Sequence, residues 1–511
     1  MHILAYHLQL IPLKVLRYIL DHQDDIIQAA CLDSGKTRVD AVLGEIFVTV
    51  EKLKWTINHG EKALRPESRP TNFLMFYKKN EVRWEPLGVV AACVSWKYAS
   101  PSLPIVAPTD VSPSYPFHNL LGPVISALFT GNAIIVKNSE QTAWSSAFYT
   151  SIARGALTAC GYSPDLVHSL TCWPQTADHL TSHPRISHIT FIGSKPVAHL
   201  VAASAAKALT PVCVELGGKD AAVVLDAPDG RETSQGEMNR VVSIIMRGVF
   251  QSAGQNCIGI ERVVAMPRAY TRIVEMLTPR IKALRVGSAL AEDNIDVGAM
   301  ISDASFSKLE SLVADAVKQG ATLVCGGSRY QHPKYPQGHY FQPTLLTEVT
   351  KEMQIAQEEL FAPVCIVLRA ESVNDAIAIA NSTIYGLGSN VFGPTSSAAA
   401  MANLYRVTNE MKAGMVAVND FAVTYATQLP FGGVKGSGYG RFAGEEGLRG
   451  LCNTKAVCVD RWPGWISTSI PGGLDYPMKK GAAEIGKGVV EVGYGESIGR
   501  RIGGVRKMIG V

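Results

Sequence analysis

The sequence predicts an α/β protein with parallel sheets and two or three domains, and three observations support this fold class. From Leu87 onward, short β-branched runs alternate with helix-length segments, which is the pattern of strands joined by crossover helices. The chain has 511 residues, 47% of them hydrophobic, so it can bury more than one core. A glycine turn follows the run at residues 188–192, at Gly193, and another opens after a strand end at Glu215, at Gly217, where parallel sheets commonly hold ligands.

The predicted elements follow in chain order. Helical periodicity between Leu13 and Ile57 predicts a helical lead-in, and two apolar runs with Asn80 near their tip predict a hairpin over residues 73–84. A first set of strands is predicted at residues 88–94, 133–137, 165–170 and 188–192. A second set, at residues 221–225, 261–265, 321–325, 364–368 and 415–419, indicates a second α/β domain.

Composition and spacing exclude several classes of function. The net charge is only +4 and basic residues are interleaved with acidic ones, so we expect no nucleic acid partner. The ten cysteines show neither a C-x-x-C pair nor zinc-type spacing, so we expect no disulfide framework and no metal, and a reducing compartment fits best. No apolar run reaches the roughly 18 residues of a membrane span, and the start lacks the basic region of a signal peptide.

Cys257 and Glu215 are the candidate catalytic residues. Cys257 ends a Gly-Gln-Asn-Cys run at residues 254–257, and Glu215 begins a Glu-Leu-Gly-Gly run at residues 215–218. A thiol on one glycine-flanked loop and a carboxylate on another suit covalent catalysis, in which the thiolate attacks a carbonyl carbon and the carboxylate later activates water. A single cysteine is more often an inert buried residue, so the hypothesis depends on the pairing with Glu215.

These two runs resemble the nucleophile and general-base motifs of the aldehyde dehydrogenase superfamily. Residues 358–363 (Glu-Glu-Leu-Phe-Ala-Pro) and 430–438 (Pro-Phe-Gly-Gly-Val-Lys-Gly-Ser-Gly) match the family in the same order, and the likeness runs from about residue 26 to about residue 455. The chain is similar to a fungal branch named after meiotic sister-chromatid recombination and to a related plant branch. The resemblance implies NAD(P)-dependent oxidation of an aldehyde to a carboxylic acid through a cysteine thioester.

The resemblance also implies a set of cofactor-binding residues, namely Trp96, Lys137, Glu140, Gly193, Ser194, Glu359 and Phe361. In the family, the positions of Lys137 and Glu140 contact the adenosine ribose, and those of Glu359 and Phe361 hold the nicotinamide ribose and ring. The turn at Gly193 and Ser194 is the family's cofactor turn, where an anion meets a helix N-terminus. A carboxylate near the ribose disfavours a 2′-phosphate, so Glu140 favours NAD, with NADP as the alternative.

One family motif is interrupted. In the family, an Asn that donates to the oxyanion directly follows a Trp, in a motif close to Trp-Asn-Tyr-Pro. Here the proline- and serine-rich residues 97–114 separate Trp96 from Tyr115, and this composition predicts a loop, either evolved or from misread coding sequence. Losing one oxyanion donor typically lowers turnover roughly 100- to 1000-fold. The alternative function is therefore a catalytically impaired scaffold that retains cofactor binding.

The resemblance implies a Rossmann-like cofactor domain over residues 1–215, including a bridging hairpin at about residues 70–86, and an α/β catalytic domain over residues 216–430. A return with a bridging strand, over residues 431–460, completes a small bridging sheet, and residues 461–511 form a C-terminal extension. We expect a small aldehyde substrate, a homo-dimer or tetramer and a cytoplasmic location. Peripheral membrane contact through the extension, at the endoplasmic reticulum membrane, is the alternative.

Overall fold

The structure is a computed structural model that describes residues 2–94, 115–421 and 427–509. The chain divides into two compact units, the larger with Met1–Ala63 and Pro86–Cys452 and the smaller with Leu64–Glu85 and Asn453–Val511. Trp96 and the interrupting residues 97–114 lie outside the described residues. The domain bounds expected from the sequence stay a prediction.

The strands of the described residues are numbered in chain order. They are β1 (Glu67–Arg69), β2 (Lys78–Pro86), β3 (Val89–Val94), β4 (Ala133–Asn138), β5 (Val167–Thr171), β6 (Ile189–Ile192), β7 (Val212–Glu215), β8 (Asp220–Val224), β9 (Ile260–Ala265), β10 (Thr322–Cys325), β11 (Arg329–Tyr330), β12 (Tyr340–Phe341), β13 (Thr344–Thr347), β14 (Val364–Arg369), β15 (Gly388–Phe392), β16 (Met415–Val418), β17 (Gly438–Tyr439) and β18 (Cys452–Asp460).

The α-helices are numbered in the same way. They are α1 (His2–Asp21), α2 (Gln23–Ser34), α3 (Arg38–Ala41), α4 (Val48–Ala63), α5 (Pro116–Phe129), α6 (Ala143–Ala159), α7 (Pro174–Thr181), α8 (Lys195–Ala206), α9 (Gln235–Phe250), α10 (Pro267–Lys282), α11 (Phe306–Lys318), α12 (Gln354–Gln357), α13 (Val373–Ala380), α14 (Ala398–Glu410), α15 (Gly444–Arg449), α16 (Ala482–Tyr494) and α17 (Ile498–Ile509).

Two large sheets form the larger unit. One has six strands in the order β17-β7-β6-β3-β4-β5, and the other has seven in the order β10-β13-β14-β9-β8-β15-β16. Neighbouring strands are parallel except at β17 and β10, which pair antiparallel at one edge of each sheet. All nine strands predicted in the two sets are present, with ends shifted by two residues at most. The predicted α/β fold class is therefore confirmed.

A small three-stranded sheet has the order β1-β2-β18, so the predicted strand near residues 454–459 does join the early hairpin. The prediction of the hairpin's tip is wrong, because Asn80 lies inside β2 and pairs with Arg69 of β1. The predicted first strand is also wrong, because Phe73–Met75 forms a 3₁₀ turn. That turn begins at Asn72, whose side chain accepts a hydrogen bond from the Met75 amide at 2.9 Å and so replaces a strand pairing.

The last described residues of the chain form two packed helices, α16 and α17. Gly488 of α16 and Gly504 of α17 are both buried, and their backbones approach so closely that a side chain on either would overlap the other helix. Among the helices that the structure describes, none combines the length and the apolar character needed to cross a membrane.

Candidate active site

Cys257 lies on a tight loop between helix α9 and strand β9. The helix ends at Phe250, and a 3₁₀ turn over Gln251–Gly254 follows. In this turn Ser252 and Ala253 have left-handed φ angles of 55°, a conformation that costs roughly 1–2 kcal/mol for each L residue. The loop then presents Cys257 as a half-buried side chain just before the strand begins.

A close backbone contact explains the glycine of this loop. Gly254 has a φ of 72°, and a Cβ atom here would overlap the carbonyl group of Ala362 and come within 2.9 Å of the Pro363 nitrogen. These neighbours are backbone atoms, which cannot turn aside as the end of a flexible side chain can. The loop that carries Cys257 therefore rests directly on residues 358–363.

Tyr115, which follows the interrupting residues 97–114, contacts the same turn. Its hydroxyl accepts hydrogen bonds from the Ser252 hydroxyl at 3.2 Å and from the Gln251 amide at 3.4 Å. Burial is the main cause that raises the pKa of Tyr115; the charge of Asp40 and, least of all, that of Cys257 add to the rise, and the hydrogen bonds from Ser252 and Gln251 oppose it. The second half of the interrupted motif therefore lies beside the Cys257 loop.

Glu215 is the last residue of β7, and it is only 1% exposed. Its backbone pairs with Ile192 of β6 on one side and with Gly438 of β17 on the other. Its carbonyl oxygen accepts a hydrogen bond from the Gly193 amide at 3.0 Å, and its Oε1 accepts one from the Gly217 amide at 3.3 Å. The carboxylate is therefore fixed at the carboxyl end of the sheet, next to the predicted cofactor turn.

Glu261 of β9 connects the segments that carry the motifs. Its carboxylate accepts hydrogen bonds from the backbone amides of Leu360 and Phe361 at 2.9 to 3.1 Å. The Lys219 ammonium donates to the same carboxylate at 2.8 Å. Since Lys219 follows the Glu-Leu-Gly-Gly run directly, one carboxylate joins the strand after Cys257, the segment after Glu215 and the loop of residues 358–363.

The Lys219–Glu261 ion pair is almost completely buried, with side chains 0% and 6% exposed. Burial lowers the pKa of Lys219, while the charge of Glu261 opposes that shift. A buried pair is tolerated when further hydrogen bonds satisfy its remaining groups, as the two loop amides do for Glu261. We conclude that the pair holds the loop of residues 358–363 in place against the Cys257 strand.

The turn after β6 has the geometry of an anion site. Ser194 is the N-cap residue of α8, and its hydroxyl is buried with no hydrogen-bond partner among the residues that the structure describes. Pro196 lies in the first turn of the helix, where an amide would have no helical partner in any case. A buried hydroxyl at a helix N-terminus fits a phosphate oxygen of a dinucleotide.

Lys137 and Glu140 lie at the carboxyl end of β4, where they form an ion pair at 3.3 Å. Glu140 Oε1 is buried, and no described group donates a hydrogen bond to it. Strand β3 separates β4 from β6, so this pair and Ser194 share one edge of the sheet. A carboxylate oxygen in that position suits a ribose hydroxyl of the same dinucleotide.

Phe361 and Glu359 lie on the loop between α12 and β14. Phe361 is 6% exposed and has a left-handed φ of 53°, which the hydrogen bond from its amide to Glu261 supports. Glu359 is half-buried, and its backbone lies within hydrogen-bond reach of the Tyr385 hydroxyl. Burial first, and then the negative charge of Glu359, raise the pKa of Tyr385 to about 12.

Most predicted site residues lie in two connected groups of the larger unit. Lys137, Glu140, Gly193 and Ser194 line one sheet edge, with Glu215 beside Gly193, while Cys257, Glu359 and Phe361 lie around Glu261. The individual roles stay predictions, as does the approach of Cys257 to Glu215 across one cleft. Trp96 lies outside the described residues.

Sequence reasoning missed Lys219 and Glu261. The signal was the pair Glu261-Arg262 inside a β-branched run, because a strand buried on both faces holds charged residues only when they are paired. The Arg262 guanidinium donates to the carbonyl oxygens of Lys219, Ile379 and Ala380 at 2.7 to 3.0 Å, which also satisfies the end of α13. Glu261 and Arg262 are both buried and hydrogen-bonded inside the protein, so neither of these two charged side chains is a surface group.

The sequence profile of the aldehyde dehydrogenase family matches residues 7–457. An aldehyde dehydrogenase-like protein of Saccharomyces cerevisiae is 53% identical over 91% of this chain and 69% of its own length. A similarly named protein of Schizosaccharomyces pombe is 53% identical over 90% of this chain and 82% of its own length. An NADP(+) succinate-semialdehyde dehydrogenase of Mycobacterium avium is 29% identical over 88% of this chain and 85% of its own length.

Solved structures show the same architecture. A Mycobacterium tuberculosis aldehyde dehydrogenase complexed with NAD+ superposes with a TM-score of 0.76 at 26% identity, covering 91% of this chain and 86% of that one. An NADP-dependent enzyme of E. coli also gives 0.76, at 25% identity, covering 89% of this chain and 86% of that one. The profile match over nearly the full chain and the 53% identical relatives agree with these superpositions, and the chain belongs to the aldehyde dehydrogenase family.

Proposed function

We propose that the protein oxidises an aldehyde to a carboxylic acid with NAD(P), through a thioester on Cys257. The observation that carries the proposal is the set of contacts around Glu261, which joins the Cys257 strand, the segment after Glu215 and the loop of residues 358–363. This arrangement supports a nucleophile and a carboxylate base in one region, beside a sheet edge that suits a dinucleotide.

The chemistry follows from the two catalytic candidates. The Cys257 thiolate donates an electron pair to the aldehyde carbon, which places negative charge on the aldehyde oxygen. When bound, NAD(P) supplies the hydride acceptor, and loss of the hydride as the oxyanion collapses leaves an acyl thioester on Cys257. Glu215 takes a proton from water, whose oxygen attacks the thioester and releases the acid. Aldehyde, NAD(P)+ and water give acid, NAD(P)H and a proton.

The residues at the sheet edge fit the cofactor. Ser194 and the amides at the start of α8 would hold the pyrophosphate, and Lys137 with Glu140 would hold the adenosine ribose. Glu359 and Phe361 would hold the nicotinamide half. The buried Glu140 carboxylate disfavours a 2′-phosphate, so we propose NAD as the preferred cofactor and NADP as the second.

The rival function, an impaired scaffold that retains cofactor binding, is supported only by residues 97–114, which displace the family's Asn donor. The family membership does not favour this rival. The test is NADH formation, followed at 340 nm, by purified protein with a panel of aliphatic and aromatic aldehydes. We expect Cys257→Ser to abolish it and Cys160→Ser, at another half-buried thiol, to leave it unchanged. Equal rates for Cys257→Ser and the parent protein would exclude the thioester route.

We also propose a homo-dimer or tetramer in the cytoplasm, with peripheral contact of the extension at the endoplasmic reticulum membrane as the alternative. Strand β18 lies at an edge of the small sheet and is mostly exposed, which suits pairing with a second copy. The scattered cysteines of the sequence, without C-x-x-C or zinc-type spacing, favour a reducing compartment and support the cytoplasmic location. Light scattering gives the subunit number, and cell fractionation gives the location.

A further inference from the structure

Helix α17 carries a row of aliphatic side chains exposed to solvent. Ile498, Ile502, Val505 and Ile509 recur at intervals of four, three and four residues, which places them on one face of the helix. Their exposed fractions are 79%, 51%, 47% and 67%. We call this face the α17 stripe. A continuous apolar row of this kind marks an interaction surface.

The stripe points away from α16. The buried Gly504, which lies against the α16 backbone, is about 130° around the helix from the centre of the stripe. On the α16 side, Lys507 also forms an ion pair with Glu491 at 2.6 Å. The packing of the two helices therefore uses one face of α17 and leaves the stripe uncovered.

The rest of helix α17 is basic. Helix α17 contains Arg500, Arg501, Arg506 and Lys507 and no acidic residue. Residues 461–511 hold eight Lys and Arg against four Asp and Glu, so this extension alone carries a charge of +4, which equals the net charge of the whole chain. A helix with an aliphatic face and a basic remainder is typical of segments that lie on anionic membranes.

The connection between β18 and α16 adds exposed aromatic residues. Trp465 is 89% exposed and Tyr476 is 83% exposed, and Lys479 and Lys480 follow closely. Indole and phenol rings, each with an apolar body and a polar tip, are enriched at the headgroup level of bilayers. Nearly half of the large apolar side chains that the described residues expose belong to the smaller unit.

We propose that the extension binds an anionic lipid surface, with the α17 stripe inserted among the acyl chains and the basic side chains at the headgroups. This inference builds on the peripheral membrane contact proposed above for the extension and adds the residues that make it. Lipid binding of this kind does not require the protein to be catalytically active. A second copy of the chain is the rival occupant, but a two-fold contact of this surface with itself would bring two positively charged helices together. An anionic lipid surface complements that charge instead.

The test is flotation of the full-length protein with phosphatidylcholine vesicles and with vesicles that also contain about 30% phosphatidylserine. We expect binding to the anionic vesicles only, weakened by high salt. Ile502→Ser should reduce it at least fivefold, and Arg506→Gln should reduce it roughly fivefold. The matched control is Leu32→Ser on α2, because Leu32 and Ile502 are both 51% exposed on helices.

Three results would overturn the proposal. One is equal binding to both vesicle types, and another is an Ile502→Ser protein that floats as well as the parent. The third is no flotation at all, combined with a lower mass of Ile502→Ser in light scattering, which would assign the stripe to a contact between copies. Far-UV circular dichroism and NADH formation of each variant separate a failure of folding or catalysis from a loss of lipid binding.

Discussion

The loop that presents Cys257 and the segment that presents Glu215 are built in opposite ways. The Cys257 loop follows three successive left-handed residues and rests on the backbone of Ala362. Glu215 ends a regular strand, paired on both sides. The position of the thiol is therefore set by left-handed backbone and close packing, whereas that of the carboxylate is set by regular strand pairing and a hydrogen bond from the Gly217 amide. Changes to the first region should affect folding as well as turnover, and changes to the Glu215 side chain should affect turnover alone.

Glu215→Gln tests the second half of this comparison and has the largest expected effect. Turnover should fall by roughly 10²- to 10⁴-fold, because the amide cannot take a proton from water. A stoichiometric burst of NADH should remain, because acylation of Cys257 does not use this base. The thermal midpoint should stay within a few degrees of the parent, and Glu275→Gln, at an exposed carboxylate on α10, is the control. An unchanged steady-state rate would remove Glu215 from the base's role.

Replacing residues 97–114 with one Asn tests whether the oxyanion formed at Cys257 lacks a side-chain hydrogen-bond donor. The edit restores a Trp-Asn-Tyr-Pro sequence whose Tyr115 already contacts the turn before Cys257. Turnover should rise by roughly two to three orders of magnitude, which is the usual worth of one oxyanion donor. If the parent protein already equals the edited one with its best aldehyde, the interrupting residues supply that donor themselves.

Glu261→Gln tests the link between the two regions. The change leaves the Lys219 ammonium buried without its counter-charge, so unfolding should become easier by about 3–5 kcal/mol. The KM for NAD should rise as well, because the loop of residues 358–363 loses part of its anchor. Chemical denaturation and steady-state kinetics measure the two effects. A double variant with Lys219→Met should recover much of the stability but not the KM, and recovery of both would show that the anchor has no part in cofactor binding.

Gly254→Ala tests the backbone half of the comparison. The added methyl group overlaps the Ala362 carbonyl and opposes a positive φ, so the free energy of unfolding should fall by about 2–4 kcal/mol, with a smaller loss of turnover. Gly155→Ala is the matched control, since its Cβ would meet nothing within 4 Å in the middle of α6. That variant should be more stable by about 0.5–1 kcal/mol. Equal stability of both variants would show that the loops are not in firm contact.

The sequence predicted the sheets well because parallel strands buried on both faces read as continuous β-branched runs. Strands β13 and β15 were missed, since Thr344 and Thr347 bound one and Gly388, Ser389 and Asn390 begin the other, so neither shows such a run. The hairpin is misplaced because the turn propensity of Asn80 predicts a tip at a residue that instead pairs with Arg69 of β1.

The site was predicted only where a motif spans neighbouring residues. Cys257, Glu215 and the turn at Ser194 belong to such motifs, which family resemblance makes visible. The bond between Lys219 and Glu261 joins residues 42 positions apart. A contact over that separation leaves no local sequence pattern. The only signal for it was the pair of charged residues, Glu261 and Arg262, inside a strand predicted to be buried.

The contact of Gly254 with the peptide after Ala362 also limits how this protein can be redesigned. A library that varies residues 358–363 to change how the nicotinamide half is held would at the same time move the surface on which the nucleophile's loop rests. The placement of the nicotinamide and of the thiol is therefore one design problem in this chain, and the two loops would have to be varied together.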